Sequence, residues 1–298
     1  MDCLLTGSSG FLGKAISEEI SKENVVFTLS RRNGHYKINL DTEIEDFGRR
    51  FDIVIHAAGK AHNIPNSDKE KSEFNNTNVI GTLNLLKGLE FSGVPKMFVF
   101  ISSVSVYGID CGFEIKEESL LNAIDPYGKS KIHAEEIIKK WCNNHGVKYT
   151  ILRLPLVIGA NPPGNLGSMI NAIRKGYYFN ISNGTAKKSM VLASDIAKSI
   201  IEVAKIGGTY NLTDGYHPSF SELSYCIAKQ FNKEIVPNIP KFMAILIAKI
   251  GDIFGHNFPI NSNKLMKITS TLTFNDSKAR KAFGWNPTPV LTGFKINE

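Results

Sequence analysis

The chain has 298 residues, 42% hydrophobic and 21% charged, a balance that excludes a disordered or fibrous protein and allows one large core or two modest ones. The net charge of +7 suits a small anionic substrate, but the cations are scattered through helical segments and no basic tract interleaved with aromatics marks a nucleic-acid surface. Cys3, Cys111, Cys142 and Cys226 lie far apart without C-x-x-C spacing, which argues against a structural metal and a disulfide framework; with no basic segment leading into an apolar stretch, the expected home is the cytoplasm.

Cys3, Leu4 and Leu5 read as a buried parallel strand emptied into Thr6-Gly7-Ser8-Ser9-Gly10-Phe11-Leu12-Gly13. Gly7 permits a tight turn, Gly10 lets a phosphate approach bare backbone, and Gly13 removes a side chain that would hold helix and strand apart. The spacing is G-x-x-G-x-x-G, a weak signal alone, and it predicts a pyrophosphate cradle at the amino end of a helix from Phe11 to Lys22. Val25 to Leu29 is the second strand. At its end, where a dinucleotide fold usually carries an acid for the ribose hydroxyls, stand Ser30-Arg31-Arg32. Two guanidiniums suit a 2′-phosphate, so NADP is favoured over NAD, the other reading being a pair of exposed loop arginines.

Phe51 to His56 forms the next strand and ends in the small residues Ala57-Ala58-Gly59, with His56 read as structural because no metal partner stands at useful spacing. A long helix follows, near Ser67 to Phe91, and then a fourth strand, Lys96 to Ile101, delivers Ser102-Ser103-Val104-Ser105-Val106-Tyr107-Gly108 to the carboxyl edge of the sheet. Asp125 can cap a helix that begins at Pro126 and runs to about Asn143, with Tyr127 and Lys131 on one face. Strand five, Val147 to Leu154, leads into a Gly/Pro-rich stretch at 159–165 that reads as a domain boundary. Beyond it come helices near Leu166 to Arg174 and Ala193 to Ala204, a strand Thr209 to Leu212, and helices near Ser219 to Phe231 and Pro240 to Phe254. The last has an uncharged run far short of the roughly 20 residues that span a bilayer, leaving a helix packed on the smaller domain's core or, less favoured, a surface-lying amphipathic anchor.

Ser103, Tyr127 and Lys131 carry the chemistry. Interconverting a carbonyl and an alcohol needs one group to move a proton while hydride moves to or from a nicotinamide. A lysine one turn away and a helix amino terminus both favour the phenolate of Tyr127, while Ser103 would hold the reacting oxygen.

With these motifs the chain resembles the extended short-chain dehydrogenase/reductases of the NAD-dependent epimerase/dehydratase family. The motifs are T-G-x-x-G-F-x-G at Thr6–Gly13, H-A-A at His56–Ala58, N-x-x-G-T at Asn78–Thr82, S-S-x-x-V-Y-G at Ser102–Gly108 and Y-x-x-x-K at Tyr127–Lys131. The resemblance implies an α/β fold, a Rossmann doubly wound parallel sheet over residues 1–160, rejoined by 189–213, with a smaller substrate domain over 161–298. It implies Ser103, Tyr127 and Lys131 as catalytic residues, and a cofactor held by Gly7, Ser9, Gly10, Phe11, Leu12, Gly13, Arg31, Arg32, Asn39, Ala57, Ala58, Asn78, Tyr127, Lys131 and Leu154. Asn165 and Lys188 are expected to contact a nucleotide-diphosphate sugar. No transmembrane segment is expected, and a homodimer is compatible with this reading.

The departures narrow the activity. Val104-Ser105 stands where dehydratases carry an Asp-Glu pair, Leu156 where a substrate-contacting Asn is common, and Lys188-Ser189-Met190-Val191 where the epimerases have R-D-Y/F-V. This form looks more like bacterial reductases of 4-keto-6-deoxy (amino) sugar nucleotides for surface polysaccharides. An NAD-dependent 4-epimerase of the UDP-glucose type is the alternative, and a non-catalytic NADP-sensing protein is the least favoured reading.

Overall fold

A computed structural model describes residues 1–61, 65, 67–254 and 261–296. The first half alternates strand and helix: β1 (Asp2–Thr6), α1 (Phe11–Ile20), β2 (Val25–Ser30), β3 (Tyr36–Lys37), β4 (Ile53–His56), α2 (Asp68–Asn75), α3 (Gly81–Ser92), β5 (Met97–Ser103), β6 (Gly112–Ile115), α4 (Pro126–His145) and β7 (Lys148–Leu154). The second half is more broken: β8 (Leu156–Ile158), α5 (Gly164–Lys175), β9 (Asn180–Ile181), β10 (Met190–Leu192), α6 (Ala193–Ile206), β11 (Gly208–Asn211), α7 (Phe220–Gln230), β12 (Asn238–Ile239), α8 (Lys241–Phe254), α9 (Ser262–Thr269), β13 (Leu272–Phe274), α10 (Ser277–Phe283) and α11 (Val290–Gly293).

Seven strands pair in parallel in the order β11-β7-β5-β4-β1-β2-β3. Both faces are covered, which is why the central strands are continuous apolar runs rather than alternating ones. On one face Leu5, Ile16, Ile55, Val99, Leu152, Ile196 and Val203 join β strands to α1 and α6; on the other Leu4, Leu85, Leu89, Phe98, Ile138 and Trp141 join them to α3 and α4. The strand order reverses between β1 and β4, and the crevice at their carboxyl ends is where ligands bind such sheets.

The chain does return to this sheet after the Gly/Pro-rich stretch. β11 lies beside β7, α6 packs on α1, and Ala279 and Trp285 near the carboxyl end are buried in the same core. β10 stays outside, paired with β8. A second core of Ile158, Met169, Ile173, Met190, Leu223, Ile227 and Val290 joins α5, α7 and α11.

The long helix expected from Ser67 to Phe91 is present as one helical run, α2 and α3 made continuous by a π-helical turn over Asn76–Ile80. The extra residue turns Asn78 inward, where its amide nitrogen donates to Ser130 Oγ at 2.8 Å and to the Lys60 carbonyl at 3.1 Å. A tertiary demand on one side chain therefore outweighs the regular helical ladder.

Candidate active site

Gly7 leaves β1 with φ of +72°, and a Cβ there would meet the backbone of Ala57 and Ala58 at 2.6–2.7 Å, so the turn touches the end of β4. A Cβ on Gly13 would fall 2.0 Å from the Gly7 carbonyl oxygen, which fixes α1 against the turn. Gly10 is different: it is exposed, a Cβ would meet only that carbonyl, at 3.2 Å, and it caps α1 with no side chain and no acid in the first turn. The first amides of α1 are thus uncapped at the positive end of the helix, and a pyrophosphate fits. Ser9 is exposed beside Gly10, Leu12 packs on the central core, and the Phe11 ring lies against Gly159, where a Cβ would come within 3.0 Å.

At the end of β2, Ser30 is buried and closes a tight turn: Asn33 N donates to Ser30 Oγ at 3.0 Å, and that hydroxyl in turn donates to the Asn33 carbonyl. Arg31 and Arg32 project from this turn, exposed, and among the described residues neither has an ion-pair partner. Asn39 is tied into its own turn, its amide donating to Glu43 Oε2 at 2.9 Å and its side chain to Thr42 Oγ1 at 3.3 Å. Leu154, expected to line the cofactor, pairs in register with Ser103 and is buried in the central core, so its side chain serves packing.

β5 ends at Ser103, whose Oγ donates to Ser105 Oγ at 3.1 Å and accepts the Ser105 amide at 3.2 Å, opening the 3-10 turn Val104–Tyr107. α4 starts beside it. Asp125 caps the helix by accepting from Gly128 N at 2.9 Å, Pro126 occupies its first turn, and Gly128 is so close to Ser105 that a Cβ would come 2.8 Å from the Ser105 carbonyl. This contact brings the start of α4, and with it Tyr127, beside Ser103, whose hydroxyl opposes the burial that raises the Tyr127 pKa. Lys131 is almost wholly buried; Nζ donates to the Ile101 carbonyl at 2.9 Å and stands 4.6 Å from the Phe100 ring centroid.

Burial shifts both Tyr127 and Lys131 toward their neutral forms. Burial raises the Tyr127 pKa, with the Ser103 hydrogen bond opposing and the Asp125 charge adding. Burial also drives Lys131 down to about 8, with Glu135 opposing. The Lys131 ammonium donates to the Ile101 carbonyl and keeps further donors for a bound ligand.

A chain of hydrogen bonds supports these groups. Thr6 Oγ1 meets His56 Nδ1 at 2.7 Å, His56 Nε2 meets Thr82 Oγ1 at 3.0 Å, Thr82 donates to the Asn78 carbonyl at 2.7 Å, and Asn78 reaches Ser130 beside Lys131. Because the Thr82 hydroxyl proton goes to Asn78, His56 donates from Nε2 and accepts at Nδ1, the neutral tautomer. Burial and the Lys131 charge hold its pKa down to about 3, in keeping with a structural histidine. Sequence reasoning missed a second network: Glu135, one turn beyond Lys131, pairs with Arg153 of β7, which also donates to the Tyr107 hydroxyl at 3.1 Å. The i, i+4 spacing of Lys131 and Glu135 was its one visible signal.

On the substrate side, Asn165 is exposed in the first turn of α5, and Lys188 is half-buried, its pKa lowered by burial, raised by Asp110 and lowered again by Lys267. Ser189, in the place of the epimerase aspartate, is structural: it holds His217 Nδ1 at 2.9 Å and accepts the Phe274 amide at 2.8 Å. Among the described residues no cluster of three or more potential ligands could hold a metal, and no helix is long and apolar enough to cross a membrane.

Comparison with known proteins identifies the family and the fold. The profile of the NAD dependent epimerase/dehydratase family matches residues 3–212. A UDP-glucose 4-epimerase of Vibrio cholerae is 28% identical, covering 98% of this chain and 93% of its own. A GDP-6-deoxy-D-mannose reductase of Pseudomonas aeruginosa is 26% identical over 78% of this chain and 81% of its own. The structure of RMD from Pseudomonas aeruginosa complexed with NADPH has the same fold, with a TM-score of 0.73 at 21% identity over 97% of this chain and 94% of that one.

Proposed function

The chain belongs to the NAD dependent epimerase/dehydratase family, and from that premise we propose that it is an NADP-dependent reductase of the C4 carbonyl of a nucleotide-diphosphate sugar, of the 4-keto-6-deoxy (amino) class used for surface polysaccharides. The observation that carries this reading is the pair Arg31 and Arg32, exposed on the turn at the end of β2, which suits the 2′-phosphate of NADPH as a consumed hydride donor. Ser103 and Tyr127 serve either reaction, but a reductase consumes its reduced cofactor whereas an epimerase returns it unchanged. The reduced nicotinamide, when bound, supplies the hydride. Ser103 holds the C4 oxygen, and Tyr127 delivers a proton to it as the carbonyl becomes an alcohol. Lys131 stands beside Gly59 and Asn78, where a ribose hydroxyl can be held, and Gly7, Gly10, Gly13 with the α1 amides cradle the pyrophosphate. Among the described residues Arg31 and Arg32 have no ion-pair partner, which leaves both for the 2′-phosphate of NADP.

The identity with a UDP-glucose 4-epimerase over 98% of the chain favours a second reading, 4-epimerisation with retained NAD. Incubation with UDP-, GDP- and dTDP-linked sugars and their 4-keto forms separates the two. Stoichiometric NADPH consumption with a 4-keto sugar is the expected result. Interconversion of C4 epimers without net change in nicotinamide absorbance would give the site to the epimerase.

A further inference from the structure

Helix α8 is built inside out. Its inward stripe is Ala244, Ala248 and Gly251, small residues at i, i+4 and i+7 that pack it against α9 through Leu265. The large side chains face away: Phe242 is 63% exposed, Leu246 59%, Ile250 50% and Ile253 83%. At 100° per residue these four fall on one face with Lys249, opposite the small stripe. A helix that merely closed a core would place its large residues inward.

We propose that this face docks on the surface of an anionic lipid bilayer. The charges favour that occupant. Lys241 and Lys249 stand on α8 with one acid in that helix, Asp252, whose carboxylate accepts from the amide and hydroxyl of Ser262, and the whole chain carries +7. A helix of 14 residues is about 21 Å long, which lies in a bilayer interface and does not cross one. Lys249 decides against a second copy of the chain. Two-fold packing of the same face would bring the two ammonium groups into an apolar contact without a carboxylate, whereas at a membrane the stem lies along the acyl boundary and the ammonium reaches lipid phosphates. The inference stands apart from the reaction assigned to the cleft.

The test is flotation of the full-length chain with vesicles of phosphatidylcholine alone or mixed with phosphatidylglycerol. Flotation with the anionic vesicles is expected, at least about tenfold weaker in Leu246→Asp/Ile253→Asp and weakened on anionic vesicles by Lys249→Glu. Thermal melting by circular dichroism verifies that each variant is folded; these side chains are exposed, so the fold should survive, and Lys249→Glu carries the test if the double variant does not. Failure of the wild type to float with anionic vesicles would overturn the proposal. So would binding indifferent to all three substitutions, or a dimer in solution that the double variant dissolves, which would give the face to a second copy.

Discussion

Glu135 and Arg153 meet as a buried bidentate pair, Nε donating to Oε1 at 3.1 Å and Nη2 to Oε2 at 2.8 Å, with side chains 0% and 3% exposed. The same carboxylate accepts from Ser102 Oγ at 2.6 Å, so it ties the helix that carries Tyr127 and Lys131 to the strand that carries Ser103. Glu135→Gln keeps the shape and removes the charge, leaving Arg153 buried without its counterion. Breaking one partner of such a pair costs about 3–5 kcal/mol, and urea denaturation at neutral pH should show it. A loss below about 1 kcal/mol would mean that the pair is hydrated or replaceable.

Tyr127→Phe should keep NADPH binding and lose nearly all turnover. The phenol is the proton donor in the proposed reduction, and positioned acids contribute about 10²- to 10⁴-fold. Retention of more than about a tenth of the wild-type rate would move the proton to another group.

His56 gives the fold an acid sensitivity whose sign follows from its depressed pKa. Held to about 3 when folded against 6.5 for the free side chain, it stays neutral while the unfolded chain takes up a proton. Its contribution is therefore intact above pH 6.5 and is lost as pH falls toward 3, by about 2 kcal/mol at pH 5. His56→Asn should lower stability at pH 7 through the bonds to Thr6 and Thr82 and flatten the drop between pH 7 and pH 5. Urea midpoints of both proteins at the two pH values measure it; parallel slopes would assign the acid sensitivity to other groups.

The sequence made the central sheet legible because buried parallel strands are unbroken apolar runs: Val25 to Leu29 and Val147 to Leu154 fall within a residue of β2 and β7. The Asp125 cap and Pro126 were readable for the same kind of local reason. Strands such as β3, β9 and β12 were not, since two residues carry no period. The π-turn between α2 and α3 answers to Asn78 and its partner Ser130 on α4, which no local pattern contains. Helix α8 was legible as a helix, but not that small residues would pack it while its large ones stay exposed, because the pattern marks an apolar side without saying which way it turns. The spacing of Tyr127 and Lys131 likewise put them on one face without revealing that the ammonium donates to the Ile101 carbonyl.

Cofactor choice rests on Arg31 and Arg32, exposed on the turn that Ser30 closes at the end of β2. No acid stands there to hold the ribose diol of NAD. A charge-assisted hydrogen bond to a phosphate is worth about 1.5–3 kcal/mol, so Arg31→Ala or Arg32→Ala should weaken NADPH roughly 10- to 150-fold and leave NADH nearly unchanged. Added salt should narrow the difference, since exposed guanidiniums are screened. Asn39, bound into its own turn with Thr42 and Glu43, should affect both cofactors alike when replaced by Ala. Titrating the wild type and each variant with NADPH and NADH at two salt concentrations settles the assignment. Equal wild-type affinities, indifferent to either arginine, would remove the preference for NADP and leave the two arginines as surface charge.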